Sequence, residues 1–360
     1  MALKPPVEVP QGAIRLNTDS QKLEFYAQDQ WWEMATDVPN LGGNGGPAGD
    51  PTGNSRDHPS GARGTVNGGG DGSNRINIVE YFTIPTAGNS IDFGDLNANR
   101  GRPGACASNT RALVAGGYTG SGMLATIDYY DFSSTGTITN FSGDLTLGRN
   151  QVAGCSNSTR GLFAGGNPET DIIDYVTIAS QGVAAQDFGN LSGSTQNPSA
   201  LSNSTRALFP GGEDNPASPV TSRIDYVNIA TTGNAEDFGD LTKALRIVSS
   251  CSNSTRGIVA GGEDGAPGSS VTTIQYMTIA TTGNAVNFGD LATSRCDNGA
   301  TSSPTRGVFF GGATNPSGTN LSSMEYIEIA TGGSGVNFGT LAGGVRNFRP
   351  AGTSNAHGGL

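Results

Sequence analysis

The chain repeats itself six times, and a repeat of this length dictates an architecture before any single residue is weighed. Each copy contains an Arg, a short apolar run, a Gly-Gly pair, a Tyr-centred segment and a Phe-Gly turn. One full copy is Ser254-Thr255-Arg256-Gly257-Ile258-Val259-Ala260-Gly261-Gly262, then Ile274-Gln275-Tyr276, then Asn287-Phe288-Gly289-Asp290-Leu291. The Arg recurs at Arg63, Arg111, Arg160, Arg206, Arg256 and Arg306, and the diglycines end at Gly69, Gly117, Gly166, Gly212, Gly262 and Gly312. Tyr81, Tyr129, Tyr175, Tyr226, Tyr276 and Tyr326 precede Phe93, Phe141, Phe188, Phe238, Phe288 and Phe338 by 12 or 13 residues. The spacing from Gly-Gly to Tyr is looser, 9 to 14 residues. One half of the unit is held rigid and the other tolerates length change.

Each unit reads as four short strands. In the third these are Gln151–Asn157, Arg160–Ala164, Ile172–Ile178 and Ala184–Leu191, filled by Val, Ile, Phe and Tyr and bounded by turn residues. Thr232-Gly233-Asn234 and Thr282-Gly283-Asn284 carry the Gly and Asn that a hairpin turn between third and fourth strands demands. Gly-Gly at the end of the second strand lets neighbouring units approach where a Cβ would clash. Four antiparallel strands every 45–50 residues describe a β-propeller blade. The first unit begins at its second strand, Arg63-Gly64-Thr65-Val66, whereas Arg346 to Asn355 resembles a first strand such as Arg149 to Asn157. The predicted fold is therefore all-β, a six-bladed propeller closed by its carboxyl-terminal strand, with no open edge left for aggregation. A linear solenoid would need distinct capping repeats, and none is visible.

Residues 1–62 differ. Gly12–Asn17 and Lys22–Tyr26 alternate apolar and polar residues around a Thr18–Gln21 turn, and Gln30–Met34 follows as a third strand. Three such strands bury little alone, so residues 1–39 are expected to form a small β module completed by an interface. Trp31 and Trp32, the only tryptophans, lie there with Phe25 and Tyr26, and aromatic residues favour interface centres. Residues 40–62, rich in Gly, Asn and Pro, read as a linker or an extended arm, and 63–360 as the propeller.

Composition narrows the function. The chain has 56 Gly in 360 residues, too many for a helical protein, while its evenly spaced Tyr and Phe argue against disorder. A formal charge of −11 and the absence of any Lys/Arg block exclude a nucleic-acid partner. No apolar run approaches the roughly 20 residues of a membrane helix. Met1–Pro10 lacks the apolar core of a signal peptide, so synthesis in a cytoplasm without an export address is expected. Cys106, Cys155 and Cys251 each stand five residues before a repeat Arg, where Leu201 and Thr301 stand in other units, so the slot reads as a small core position. Cys296 lies outside that pattern and reads as a free thiol.

Chemistry is sparse. Two histidines, His58 and His357, are too few for a copper site or a His-based triad, and no cofactor or metal is expected. Arg111, Arg160, Arg206, Arg256 and Arg306 recur with the repeat, so each reads as a structural donor to loop carbonyls or to an acid of the next unit. The Asp-Phe-Gly-Asp runs at Asp92–Asp95 and Asp237–Asp240 read as Asx turns, because Asn140, Asn287 and Asn337 replace the first Asp elsewhere. Glu213-Asp214 and Glu263-Asp264 follow a diglycine and could offer carboxylates to Ca²⁺ or remain solvated loops. The least repetitive parts are the connections between second and third strands, with Tyr118, Asn167, Glu213, Asp214, Glu263, Asp264 and Asn315 as candidate ligand-facing residues. Variable loops on a rigid scaffold commonly build binding surfaces, although unconstrained loops also simply drift.

The diglycine followed by a Tyr strand resembles the kelch repeat family of propellers, with Phe of the Asp/Asn-Phe-Gly motif in place of the usual last-strand Trp. The repeat wording, together with Gly12–Ser20, Lys22–Tyr26 and Trp31-Trp32-Glu33, is closer to Gly-rich propeller appendage proteins of tailed bacteriophages, particularly those of marine cyanobacteria. That resemblance covers nearly the whole chain. It implies a non-enzymatic structural protein of the virion, tail fibre or other appendage, present in multiple copies. Its head would attach to other phage structural proteins through Trp31, Trp32, Phe25 and Tyr26, and its loops would contact a host surface glycan or protein. A capsid decoration or tail-associated shell is the alternative, and a polysaccharide-degrading enzyme would need non-repeated carboxylates in the propeller channel.

Overall fold

The computed structural model describes strands at 14–17, 22–27 and 30–33 and residues 63–214, 220–265 and 268–360. The chain divides into two units, Met1–Ser60 and Gly61–Leu360. In the first, Ile14–Asn17, Lys22–Ala27 and Gln30–Glu33 form an antiparallel meander. Its register sets Phe25 opposite Trp32 and Tyr26 opposite Trp31. The predicted Thr18–Gln21 turn and the 40–62 linker lie outside the described residues.

The second unit is a six-bladed β-propeller. Blade 3 is typical, with Ala153–Ser156, Arg160–Ala164, Ile172–Thr177 and Gln186–Asn190 paired in that order from the channel outward. Its first strand starts two residues later than the sequence pattern predicts because Gln151 sits at φ 60°, a left-handed conformation that cannot continue a strand. Arg102, Asn197, Ile247, Asp297 and Phe348 adopt the same conformation in the other blades, with φ between 51° and 56°. Blade 1 is assembled from both ends of the unit: Ala351–Ser354 pairs with Arg63–Asn67, placing Thr353 opposite Thr65. Asn355 completes the join, its side-chain oxygen accepting the Arg63 amide at 3.2 Å as Asn157 accepts that of Arg160 at 2.8 Å.

The apolar side chains sit in six clusters, one at each seam between adjacent blades. At the closing seam, Val66, Phe82 and Ile84 of blade 1 pack on Val308, Phe310, Met324 and Phe338 of blade 6. The Tyr and Phe of every repeat meet edge-on within the blade, with ring centroids 5.8–6.2 Å apart. The Cys slot is a seam position: a Cβ on Gly161 would meet Cys106 Sγ of the preceding blade at 2.5 Å, and one on Gly257 would meet Leu201 at 2.7 Å. All four cysteines, Cys296 included, are buried free thiols.

Two motifs from separate parts of the repeat prove to be halves of one clasp. The amide of Gly233, in the Thr-Gly-Asn turn of blade 4, donates to the carbonyl of Phe188 in blade 3 at 2.7 Å, and Gly283 does the same to Phe238. The Phe-Gly glycine makes room for it. Gly239 has φ 141°, and a Cβ there would lie 2.6 Å from the Gly283 carbonyl. Asp237 Oδ1 accepts the Gly239 amide at 3.1 Å, an Asx turn within the Asp-Phe-Gly motif.

Candidate functional site

The antiparallel blade puts the connection from second to third strand on the same end of the ring as the link to the next blade. The residue after each diglycine bridges to the link that enters its own blade from the preceding one: Tyr118 to Gly101, Asn167 to Asn150, Glu213 to Gln196, Glu263 to Arg246, Ala313 to Cys296 and Gly70 to Asn347. All the candidate loop residues therefore gather around one mouth of the central channel. Their side chains are largely engaged. Glu213 and Glu263 share Arg246, whose Nη2 lies 2.7 Å from Glu263 Oε2, and Glu263 also accepts the side-chain amide of Asn315. Asp214 pairs with Arg223 at 2.5 Å and Asp264 with Lys243 at 2.5 Å. The hydrogen bond from Lys243 holds the Asp264 carboxyl below its usual range. Each acid that could have faced Ca²⁺ thus meets a cation, Arg246 serving both glutamates, and no cluster of three or more metal-ligating side chains occurs among the described residues. Tyr118 donates to the Gly120 carbonyl at 2.7 Å and lies under the Arg75 guanidinium.

The repeat arginines lie at the opposite end. Arg63, Arg111, Arg160, Arg206, Arg256 and Arg306 each cover the Tyr of their own blade, with 4.5–5.0 Å from the guanidinium carbon to the ring centroid. Each also donates to carbonyls of the next blade: Arg256 Nη1 reaches Ile329 O at 2.9 Å and Ala330 O at 2.7 Å, and Arg306 reaches Pro85 O across the closing seam at 2.5 Å.

A second set of arginines, absent from the sequence-based candidates, is more deeply placed. Arg100, Arg149, Arg295 and Arg346 are fully buried in the links between blades. They pair with Asp128, Asp174, Glu325 and Glu80, the residue before the repeat Tyr of the next blade, at 2.9, 3.0, 2.5 and 2.8 Å. The same carboxylates accept a link amide, for example Asn97 to Asp128 at 3.0 Å and Gly343 to Glu80 at 2.6 Å. Burial lowers the affinity of all four guanidiniums for their protons. At the two exceptions the acid either finds another cation or is replaced by an amide. Where Thr195 replaces the arginine, Arg223 moves in to meet Asp225 at 3.3 Å and Thr195 Oγ1 at 2.8 Å. Where Leu245 replaces it, the acid is Gln275, which still accepts the Thr242 amide at 2.6 Å.

The six innermost strands enclose two small chambers of the channel, of ≈ 70 Å³ under the loop mouth and ≈ 40 Å³ at the opposite end. Gly, Ala, Ser, Cys and Thr dominate both linings, and none of the lining residues is acidic. Ser156, Ser202, Ser252, Ser302 and Ser354 form a ring in which each hydroxyl donates to the carbonyl of the preceding blade at 2.5–2.7 Å. Ala107 holds the sixth position, and His357 lies against it, Nε2 donating to the Ala107 carbonyl at 2.9 Å. The amide of Gly359 donates to Nδ1 at 3.1 Å, which fixes the neutral tautomer. Burial pushes this imidazole down to about 4. Because the folded value lies below the ordinary 6.5, the unfolded chain takes up the proton first as pH falls. Stability is expected to decline between pH 6.5 and about 4, by about 3 kcal/mol from this group. Thermal midpoints across that range test it: His357→Gln should flatten the decline, and a profile identical to the wild type would remove His357 as its source.

Loop mouth, narrow channel and four-stranded blades closed by the carboxyl-terminal strand define a six-bladed β-propeller whose strand order is consistent with kelch-like organisation. No protein-family model matches the chain, and no curated protein matches it.

Proposed function

We propose that this chain is a structural protein of a tailed-bacteriophage particle, a tail fibre or other appendage. Its amino-terminal module attaches to neighbouring phage structural proteins, and its propeller presents the loop mouth to a host surface glycan or protein. The observation that carries the reading is the contrast between ring and loops. The ring repeats its Tyr–Phe stacks in every blade and its clasps and ion pairs at most seams, whereas the connections that gather at one mouth differ in length and composition from blade to blade. Such a surface suits recognition by many copies, where modest single contacts sum to avidity. The resemblance of head and repeat to cyanophage appendage proteins supports the same reading, with Trp31, Trp32, Phe25 and Tyr26 at the attachment interface.

A capsid decoration or tail-associated shell is favoured by a different observation. The loop acids Glu213, Glu263, Asp214 and Asp264 spend their charge on Arg246, Arg223 and Lys243, so they brace the mouth instead of reaching outward. A polysaccharide-degrading enzyme has less support, because no acid lines either chamber of the channel.

Cryo-electron microscopy of purified particles separates these readings. Density for the chain at the distal part of a tail or fibre, loop mouth outward, is expected. Density spread over the capsid or wrapped around the tail tube would leave the propeller as architecture. Deleting residues 1–39 should abolish incorporation into particles, and normal incorporation would remove the anchor role.

A further inference from the structure

The segment between Arg346 and the last inner strand is one residue longer in blade 1 than in the other five. Counted to the residue paired with the third position of the second strand, Arg149 precedes Cys155 by six and Thr195 precedes Leu201 by six, whereas Arg346 precedes Thr353 by seven. Both Phe348 and Arg349 take the left-handed conformation, with φ 52° and 48°, to absorb the extra residue. Arg349 therefore has no counterpart in the repeat, and its place in the channel is not a by-product of it.

Arg349 is 8% exposed and lines the ≈ 70 Å³ chamber, the only charged residue to do so among the described residues. Its Nη2 donates to the carbonyls of Pro198 and Val248, and its backbone amide to that of Asp297 at 3.0 Å. Nη1 is buried with no acceptor among the described residues. Asp297 attracts it only at longer range: Asp297 Oδ2 is engaged by Arg102 Nη2 at 3.0 Å, and Arg349 forms no ion pair among the described residues. Burial lowers the guanidinium to about 10, still far above neutral pH, so it remains charged. An unpaired buried charge costs several kcal/mol, and the other deeply buried arginines of the ring each face a carboxylate. The Ser199 and Ser250 hydroxyls at the chamber wall are bonded to each other at 2.6 Å and onward to the Ala200 carbonyl at 2.7 Å, which leaves Arg349 Nη1 as the unpartnered donor there among the described residues.

We infer that the chamber under the loop mouth is a binding site for a small monovalent anion, a halide or nitrate, held by Arg349 Nη1. Size supports the class: about 10–15 Å³ of such volume holds one water, so ≈ 70 Å³ takes a halide with a water or a nitrate, and no sugar or phosphate ester. The anion would do for Arg349 what Asp128, Asp174, Glu325 and Glu80 do for Arg100, Arg149, Arg295 and Arg346.

Crystals of the full chain grown in sodium bromide, measured at the bromine absorption edge, give the direct test. An anomalous peak within hydrogen-bond reach of Arg349 Nη1 is expected; peaks confined to the outer surface would overturn the assignment. In solution, replacing sodium gluconate by sodium chloride at constant ionic strength should raise the thermal midpoint to a plateau, by roughly 5 °C at a hundredfold excess over the dissociation constant. Arg349→Met should lose that anion dependence, whatever its own midpoint. Equal midpoints of the wild type in the two salts would overturn the site, and the bromide experiment decides alone if the variant does not fold.

Discussion

Removing Arg346–Leu360 is expected to abolish the cooperative unfolding of the propeller, or to lower its midpoint by more than about 10 °C. Three losses coincide. Blade 1 forfeits its innermost strand, Ala351–Ser354, which pairs along the whole of Gly64–Asn67. Glu80, 1% exposed, loses Arg346 and is left as a buried carboxylate without its cation, which alone costs about 3–5 kcal/mol. The channel loses Arg349 at one end and His357 at the other. Against a total stability of order 5–15 kcal/mol, that sum leaves little. A circular permutant separates lost residues from a lost ring. Joining Asn355 to Arg63 through Ser-Thr recreates the turn that Asn157-Ser158-Thr159-Arg160 already makes, so a chain permuted in this way should keep the ring and melt cooperatively. A truncated protein that melts within a degree or two of the parent would mean that the strand contributes nothing to closure.

What could be read before the structure was whatever repeats in fixed register. Arg, Gly-Gly, Tyr and Phe-Gly recur six times at matched spacing, and each builds the same contact in every blade, so blade number, strand order and closure were all legible. The buried arginines were not, for two reasons. Their column is broken by Thr195 and Leu245, and in the last link Arg346 stands five residues after its Leu where Arg149 stands four after Leu145. Their partners also lie in the next blade, and for Arg346 and Glu80 at the other end of the propeller. The signal that could have found them is the paired change: an acid before the repeat Tyr wherever the link carries Arg, and Gln275 where it carries Leu245. The loop mouth was located correctly as the variable region, but its acids read as free. Nothing in Glu213 or Glu263 announces that Arg246, in the link between blades 4 and 5, reaches both. The place of Arg349 in the channel was invisible for a related reason. Arg346 to Asn355 resembles a first strand, and that resemblance absorbed Arg349, the one inserted residue that does something new.

The natural exception in blade 5 supplies the template for a test of the buried pairs. Arg149→Leu should destabilise the propeller by about 3–5 kcal/mol, because it strands Asp174 in a site where neither partner is exposed to solvent. Burial already raises the Asp174 carboxyl above its usual range with Arg149 in place. Without the guanidinium, it can relieve the strain only by taking a proton. The deficit of Arg149→Leu relative to the parent should therefore shrink as pH falls toward 4. Adding Asp174→Gln converts the seam to the Leu245 and Gln275 arrangement, in which the amide oxygen still accepts the link amide and hydroxyl of Thr242 at 2.6 and 2.7 Å. The double variant should recover all but about 1–2 kcal/mol. The shortfall comes from an unpaired amide, since Gln275 Nε2 has no partner among the described residues. Chemical denaturation of the four proteins in the cycle measures the coupling directly, and a value of 2 kcal/mol or more is expected. Additive losses would refute the idea that each seam is selected for charge balance. The arginine would then be held by its carbonyl acceptors, such as Phe163 O at 3.0 Å from Arg149 Nη2, and the carboxylate would serve only the link amide.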